Sequence, residues 1–277
     1  MPFFVIVLYI VVMGSIFTFR LMPESSVEAF NDGVIAIVCL IGSYHLFRIV
    51  KRFQSGDAVR ISWLLFAIGL LGEGIGHVWY SAQEFMAGES MAFPNAADYF
   101  IMAGAVCYVF SFWNFKRLIN KNELFQYGKN FWIANGVFAV LVILNIIFII
   151  EPTLTDPDET LWMRILYLYY PVFDTLLAFF CLHLAFSFLS LGQSPVAKPW
   201  LILVIAFIIF LVTDSAYAYF EVIGTYHSYM LINPGWGLAY LGVSHAAYSQ
   251  LKVMNAVESV QISDINWDDN DDHAGVF

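Results

Sequence analysis

Eight apolar runs separated by short polar breaks set the first limit on what this chain can become. They fall at roughly 3–20, 31–48, 61–83, 96–115, 131–150, 162–190, 199–222 and 230–250. A helix needs about 20 mostly apolar residues to cross the hydrocarbon core of a bilayer. No water is available there to bond the backbone, so runs of this kind cross as helices. Composition agrees, because only 12% of the residues are charged, against about 25% in soluble domains. The predicted fold class is an all-α integral membrane protein with a bundle of seven or eight transmembrane helices. The first run is the shortest; without it, seven remain. Residues 1–30 then form a first transmembrane helix and an outer loop, 31–252 a seven-helix membrane bundle, and 253–277 a disordered acidic cytoplasmic tail. The opening MPFFVIVLYIVVMGSIFTF lacks a basic n-region and a small-residue cleavage site. It reads as a retained helix rather than a signal peptide.

Lysine and arginine placement predicts the orientation. Arg48, Lys51, Arg52 and Arg60 lie in one loop, Lys116, Arg117, Lys121 and Lys129 in the next but one, and Lys198 in the next of that series. The alternate loops, QEFMAGESMAFPN, EPTLTDPDET and GTYHSY, are acidic or neutral. The basic loops and the C-terminus are therefore expected in the cytoplasm, with the chain in the cell inner membrane and the loops near 90, 155 and 226 outside. The net charge of −10 owes much to the tail, where Glu258, Asp264, Asp268, Asp269, Asp271 and Asp272 fall in the last twenty residues. No basic stripe exists, so nucleic acid is not expected as a partner. Cys39, Cys107 and Cys181 all lie in apolar runs and read as small buried hydrophobes.

Ionisable groups within spans cost about 2.5–3.5 kcal/mol each on insertion scales, so they face the bundle interior or a cavity. They are few: Glu73, His77, Asp98, Asp174, Asp214 and Glu221, with Asp32 at an outer helix start. Glu73, His77, Tyr80 and Glu84 are spaced to share one helix face. In the expected orientation the acids gather in the outer half of the bundle, which predicts one outward-opening polar cavity. Tyr217, Trp236 and Tyr240 are expected in its wall, and Glu73 and His77 are expected to meet Asp174 or Asp214 there. Trp79, Tyr80, Tyr226 and Tyr229 instead fit an interfacial aromatic belt. Gly72, Gly74 and Gly76 suit close helix approach, and Asp98, after Pro94, suits a helix cap.

An internal echo accompanies this pattern. WLLFAIGLLGEGIGHVWYSAQEF from Trp63 aligns with WLILVIAFIIFLVTDSAYAYFEV from Trp200, with Tyr80 on Tyr217, Glu84 on Glu221 and His77 on Asp214. Both copies run in the same direction, as in a parallel repeat.

The order of the pieces resembles a seven-helix membrane sensor module that forms the N-terminal input region of bacterial and archaeal diguanylate cyclases and histidine kinases. The matching stretches are Pro94–Asp98, Tyr170-Pro171-Val172-Phe173-Asp174, Asp214-Ser215-Ala216-Tyr217, and Gly235-Trp236 through Tyr240. The resemblance covers roughly residues 61–250. It implies a signal-input role for an undefined ligand. This chain departs from it by carrying no output domain, so signalling would need a partner protein, and by placing His77 where that module has an acid.

The leading expectation is thus a sensor-like membrane protein, not an enzyme, whose partners are the lipid bilayer, a small ligand at the outer face and a cytoplasmic or membrane signalling protein. Its ligand-binding residues would be Glu73, His77, Asp98, Asp174, Asp214, Tyr217, Glu221, Trp236 and Tyr240. The sequence assigns no catalytic residue, no metal ligand and no cofactor. A second expectation is a membrane-embedded metal-dependent hydrolase acting on lipid, with Glu73 and His77 sharing a metal that Asp174 or Asp214 completes. Such sites generally use two or three histidines, and this cluster has one. A transporter or proton relay is a third, but the inner half offers little polarity for a through-path. All six lysines lie at span ends or in loops, so a mid-helix retinal Schiff base has no amine. The chain has no G-x-x-x-x-G-K-[ST] for a nucleotide and no C-x-x-C-H for covalent haem.

Overall fold

A computed structural model of the chain describes residues 3–88, 94–121, 128–155, 160–189 and 197–271. Among the described residues there is no strand. The helices are α1 (Phe3–Phe19), α2 (Glu24–Val50), α3 (Ala58–Ala87), α4 (Ala96–Lys121), α5 (Lys129–Asn145), α6 (Glu151–Thr155), α7 (Leu161–Leu189), α8 (Ala197–Val222) and α9 (Asn233–Asp271). A π-helical segment, Ile146–Ile150, joins α5 to α6. It lies just before Pro152, whose missing N–H removes one rung of the backbone ladder. Six helices are long and apolar enough to cross a membrane, and α1 is a shorter apolar helix. The chain is a multi-pass membrane protein.

Two boundaries differ from the sequence reading. Helix α2 starts at Glu24 rather than near 31, because Pro23, in extended conformation at φ −60° and ψ 146°, launches it. Asp32 therefore lies two turns inside the helix instead of at its start. Helix α9 continues to Asp271, where composition alone suggests a disordered tail from 253. Arg52, in the α2–α3 turn, bonds Glu258 and, at 2.7 Å, Asn255 Oδ1, which ties the first turns past residue 252 to the bundle. Residues 272–277 lie outside the described residues.

Packing follows a closed order. Helix α2 packs on α3, α3 on α4, α4 on α7, α7 on α8, α8 on α9, and α9 back on α2. The order maps onto itself when α2–α4 exchange with α7–α9. Helices α1 and α5 sit outside this ring, α1 against α9 and α5 against α7. Small residues bring α3 and α4 together. A Cβ added at Gly76 would stand 2.6 Å from Ile101 Cγ1, and one at Gly104 would stand 2.8 Å from the Gly69 carbonyl oxygen. Gly72 and Gly76 face α4 while Gly74 faces Cys39 and Leu40 of α2, so the three alternating glycines serve two seams. Buried hydroxyls add bonds between helices, with Ser43 donating to Ala67 O at 3.0 Å and Ser244 to Val38 O at 2.8 Å.

The ring is filled differently along its length. Near the N-termini of α3 and α8 its centre is solid: Trp63, Phe66, Phe112, Phe115, Trp200 and Phe207 are buried and meet mostly edge-to-face or tilted, with ring centroids 5.0–6.3 Å apart. Near their C-termini the centre is open.

Candidate functional site

The open end holds a cavity of about 970 Å³ lined from every helix of the ring and from α1, α6 and the α8–α9 turn. All nine residues expected from the sequence line it: Glu73 and His77 from α3, Asp98 from α4, Asp174 from α7, Asp214, Tyr217 and Glu221 from α8, and Trp236 and Tyr240 from α9. Among the described residues the lining holds nine carboxyl side chains, two histidines and no lysine or arginine.

The carboxyls differ in how they are satisfied. Asp98 is fully engaged. It sits at the start of α4, where Asn95 Oδ1 accepts from the Ala97 N–H at 2.8 Å and Asp98 Oδ2 accepts from the Asn95 N–H at 2.7 Å. This reciprocal pair is a capping box. The other oxygen of Asp98 accepts from Tyr80 at 2.7 Å and Tyr170 at 3.0 Å. Asp98 thus caps its helix and pins two wall tyrosines at once.

Glu73 is buried, and Tyr240 donates to its Oε2 at 2.7 Å. His77 does not bond Asp174 or Asp214 as the spacing suggested. Its Nδ1 lies 2.8 Å from Asp32 Oδ1 on α2, because α2 begins earlier and carries Asp32 down beside α3. The His77 ring meets Tyr240 edge-on at 5.2 Å. Among the described residues, no group of three or more His, Cys, Asp or Glu is placed to hold a metal ion. Glu73 and His77 are each turned to a different partner.

Asp174 and Asp214 are the exception. Their carboxyls lie side by side. Trp236 Nε1 donates to Asp214 Oδ1 at 2.5 Å. Asp174 is 9% exposed, and no donor reaches its Oδ2. Pro171 helps to set this up: it removes one backbone bond from the turn of α7 that carries Asp174, and Thr175 donates to the Pro171 carbonyl at 2.7 Å.

Nearer the mouth, Tyr217 lies beside Glu221, one turn further along α8. The Tyr226 hydroxyl, in the α8–α9 turn, lies 3.3 Å from Glu28 Oε1 and 3.2 Å from Asn233 Oδ1, which share its one proton. Burial and the Glu28 carboxylate push the Tyr226 phenol up, so it remains a donor. Tyr217 stands edge-on to both Tyr226, at 4.8 Å, and Trp236, at 5.5 Å. Tyr80 and Tyr226 are therefore wall residues and not members of a belt, Tyr229 donates to the Met22 carbonyl, and Trp79 is exposed. Glu28, Asn31 and Tyr169 also line the cavity and were not singled out by sequence, and Tyr170, named there only within the Tyr170–Asp174 stretch, lines it too. A signal for Glu28 existed, because it lies four residues before Asp32 on one helix face.

No family model, curated protein or solved structure matches the chain.

Proposed function

We propose that the chain is a sensor-like membrane protein that binds a small ligand in this cavity and signals through a partner. The supporting observation is the cavity itself. It has the size of small-molecule sites and, like them, combines an aromatic wall with convergent polar groups, here mostly carboxyls. In this reading α1 and α9 also cross the bilayer, giving eight spans, the basic loops and the C-terminus are cytoplasmic, and the cavity opens outward. The resemblance to sensor input modules points the same way.

Helix α9 is the natural output element. It carries Trp236 and Tyr240 in the cavity wall and, about six turns further along, bonds Arg52 through Asn255 and Glu258. Trp236 and Glu258 stand about 33 Å apart along one continuous helix. A ligand that shifts Trp236 would tilt α9 and change the surface around Arg52, provided it binds the two positions of α9 with different affinity.

Native mass spectrometry of the gently purified chain, paired with amide exchange over residues 248–258, tests this. The expected result is one small molecule bound per chain, lost in Trp236→Ala, with exchange near residue 255 changing when it binds. A chain that retains and takes up no small molecule would remove the proposal.

A further inference from the structure

The chemistry of the lining narrows the ligand class, on the reading that the cavity is a ligand site. We infer that it takes a linear aliphatic polyamine, with one ammonium seated against Asp174 and Asp214 and a second against the carboxyls at the mouth.

The first support is donor accounting. Two carboxyl groups in contact share a proton between them and still offer about six lone-pair positions. The protein supplies them one N–H, from Trp236. Asp174 Oδ2 is buried on the cavity wall and receives nothing. A buried polar atom without a partner is costly, and a buried charge without a counter-charge more so. An alkylammonium supplies both deficits, as three N–H donors on one positive charge.

The second support is the absence of an internal substitute. Among the described residues no lysine or arginine lines the cavity; His77 is bonded to Asp32, and the other lining histidine, His227, belongs to the α8–α9 turn rather than to the helices carrying the acid pair. A bare metal ion fits less well, since the described carboxyls and imidazoles do not converge in a coordinating group. A cavity of about 970 Å³ also far exceeds an ion's needs. The rings beside the acid pair suit an organic cation. Trp236 and Tyr217 stand together at 5.5 Å, and aromatic faces attract alkylammonium groups while accommodating methylenes.

The third support is a second acidic centre at a fixed distance. Glu221 lies on the same face of α8 as Asp214, two turns further, so the two stand about 10 Å apart along the axis. Glu28 joins Glu221 at the mouth through the Tyr226–Tyr217 pair. Between the two centres the wall is aromatic. Acid, aromatic stretch and acid in line match ammonium, methylene chain and ammonium.

The full chain in phosphatidylglycerol nanodiscs, which contain no lipid amine, should be titrated calorimetrically with octylamine, diaminobutane, diaminooctane and spermidine. Diaminooctane and spermidine are expected to bind at least tenfold more tightly than octylamine or diaminobutane. Asp174→Asn should abolish amine binding while the unliganded protein melts no lower than wild type, which separates loss of the seat from loss of the fold. Glu221→Gln should bring diaminooctane down to the affinity of octylamine and leave octylamine unchanged. Equal affinity for octylamine and diaminooctane would overturn the inference, as would binding indifferent to Asp174→Asn. Displacement of the diamine by an ethanolamine lipid would assign the seat to a headgroup instead. If no amine binds but native mass spectrometry finds another molecule in the cavity, the polyamine is wrong and the ligand site stands. If nothing binds, both fall.

Discussion

The two ends of the ring differ in kind. At one end six aromatic side chains from α3, α4 and α8 fill the centre, and Phe66, Phe112 and Phe207 are essentially inaccessible. At the other, the same helices, two to four turns further along, surround carboxyls, hydroxyls and open space. The closed end is where packing supplies stability, because every filled position adds dispersion contacts. The open end is lined by hydrogen-bonded carboxyls and by the buried Asp174 Oδ2, which no donor reaches. Strain or deficit at one site, compensated elsewhere, is a mark of function.

The largest effect should come from the closed end. Phe66 touches Trp63, Tyr108 and Phe112 with ring centroids at 6.3, 5.2 and 5.2 Å. Phe66→Ala should cost about 3–5 kcal/mol, read as an earlier unfolding midpoint in a denaturing-detergent titration. Tyr217→Phe, in the cavity wall, should move the midpoint far less. Equal losses would mean that the two ends share the burden and the contrast is only one of appearance.

Gly104 is where the halves meet. A Cβ there would lie 2.8 Å from the Gly69 carbonyl oxygen and 3.1 Å from Glu73 Oε1. The first neighbour is backbone and cannot yield without parting α3 from α4. Gly104→Val should therefore cost about 1–3 kcal/mol by overpacking, and it should also weaken ligand binding because Glu73 must move. Unchanged binding in a destabilised variant would show that the seam and the cavity are mechanically separate.

Tyr240→Phe tests the open end alone. It removes the donor to Glu73, which is buried with Tyr240 as its bonding partner. Leaving that oxygen unsatisfied should cost about 1–3 kcal/mol. In a Glu73→Leu background the same change should cost less than half as much, since no carboxylate is then stranded. A double-mutant cycle with no coupling would refute the pairing.

Most of this arrangement was legible in the sequence for one reason. Charged residues in apolar runs have nowhere to go but inward, so Glu73, Asp98, Asp174 and Asp214 announced the cavity before any geometry was available. Gly72, Gly74 and Gly76 announced close helix approach in the same way, though not which helices they would meet. What escaped was anything decided by a partner on another helix. His77 bonds Asp32 because Pro23 starts α2 early, and no periodicity in α3 carries that information. Tyr80 and Tyr226 lie near the ends of apolar runs, where a belt and a cavity wall demand the same side chain; only the rotation of the helix or turn chooses between them. The α9 extension past residue 252 was missed because composition measures the average polarity of a segment. It does not register that Asn255 and Glu258 have Arg52 within reach.

That last contact gives the smallest expected change in stability and the sharpest test of how the ends communicate. Arg52 and Glu258 are substantially exposed, with side chains 31% and 53% accessible. Exposed ion pairs contribute roughly 0.2–1 kcal/mol, so Arg52→Ala should barely shift the unfolding midpoint. If α9 transmits ligand occupancy as a rigid lever, the same variant should leave ligand affinity nearly unchanged but enlarge the amide-exchange response near residue 255, because one tether on the far end of the helix is gone. A response that vanishes would mean that Arg52 is the receiving group rather than a restraint. A response identical to wild type would confine the ligand's effect to the open end and leave α9 a passive wall.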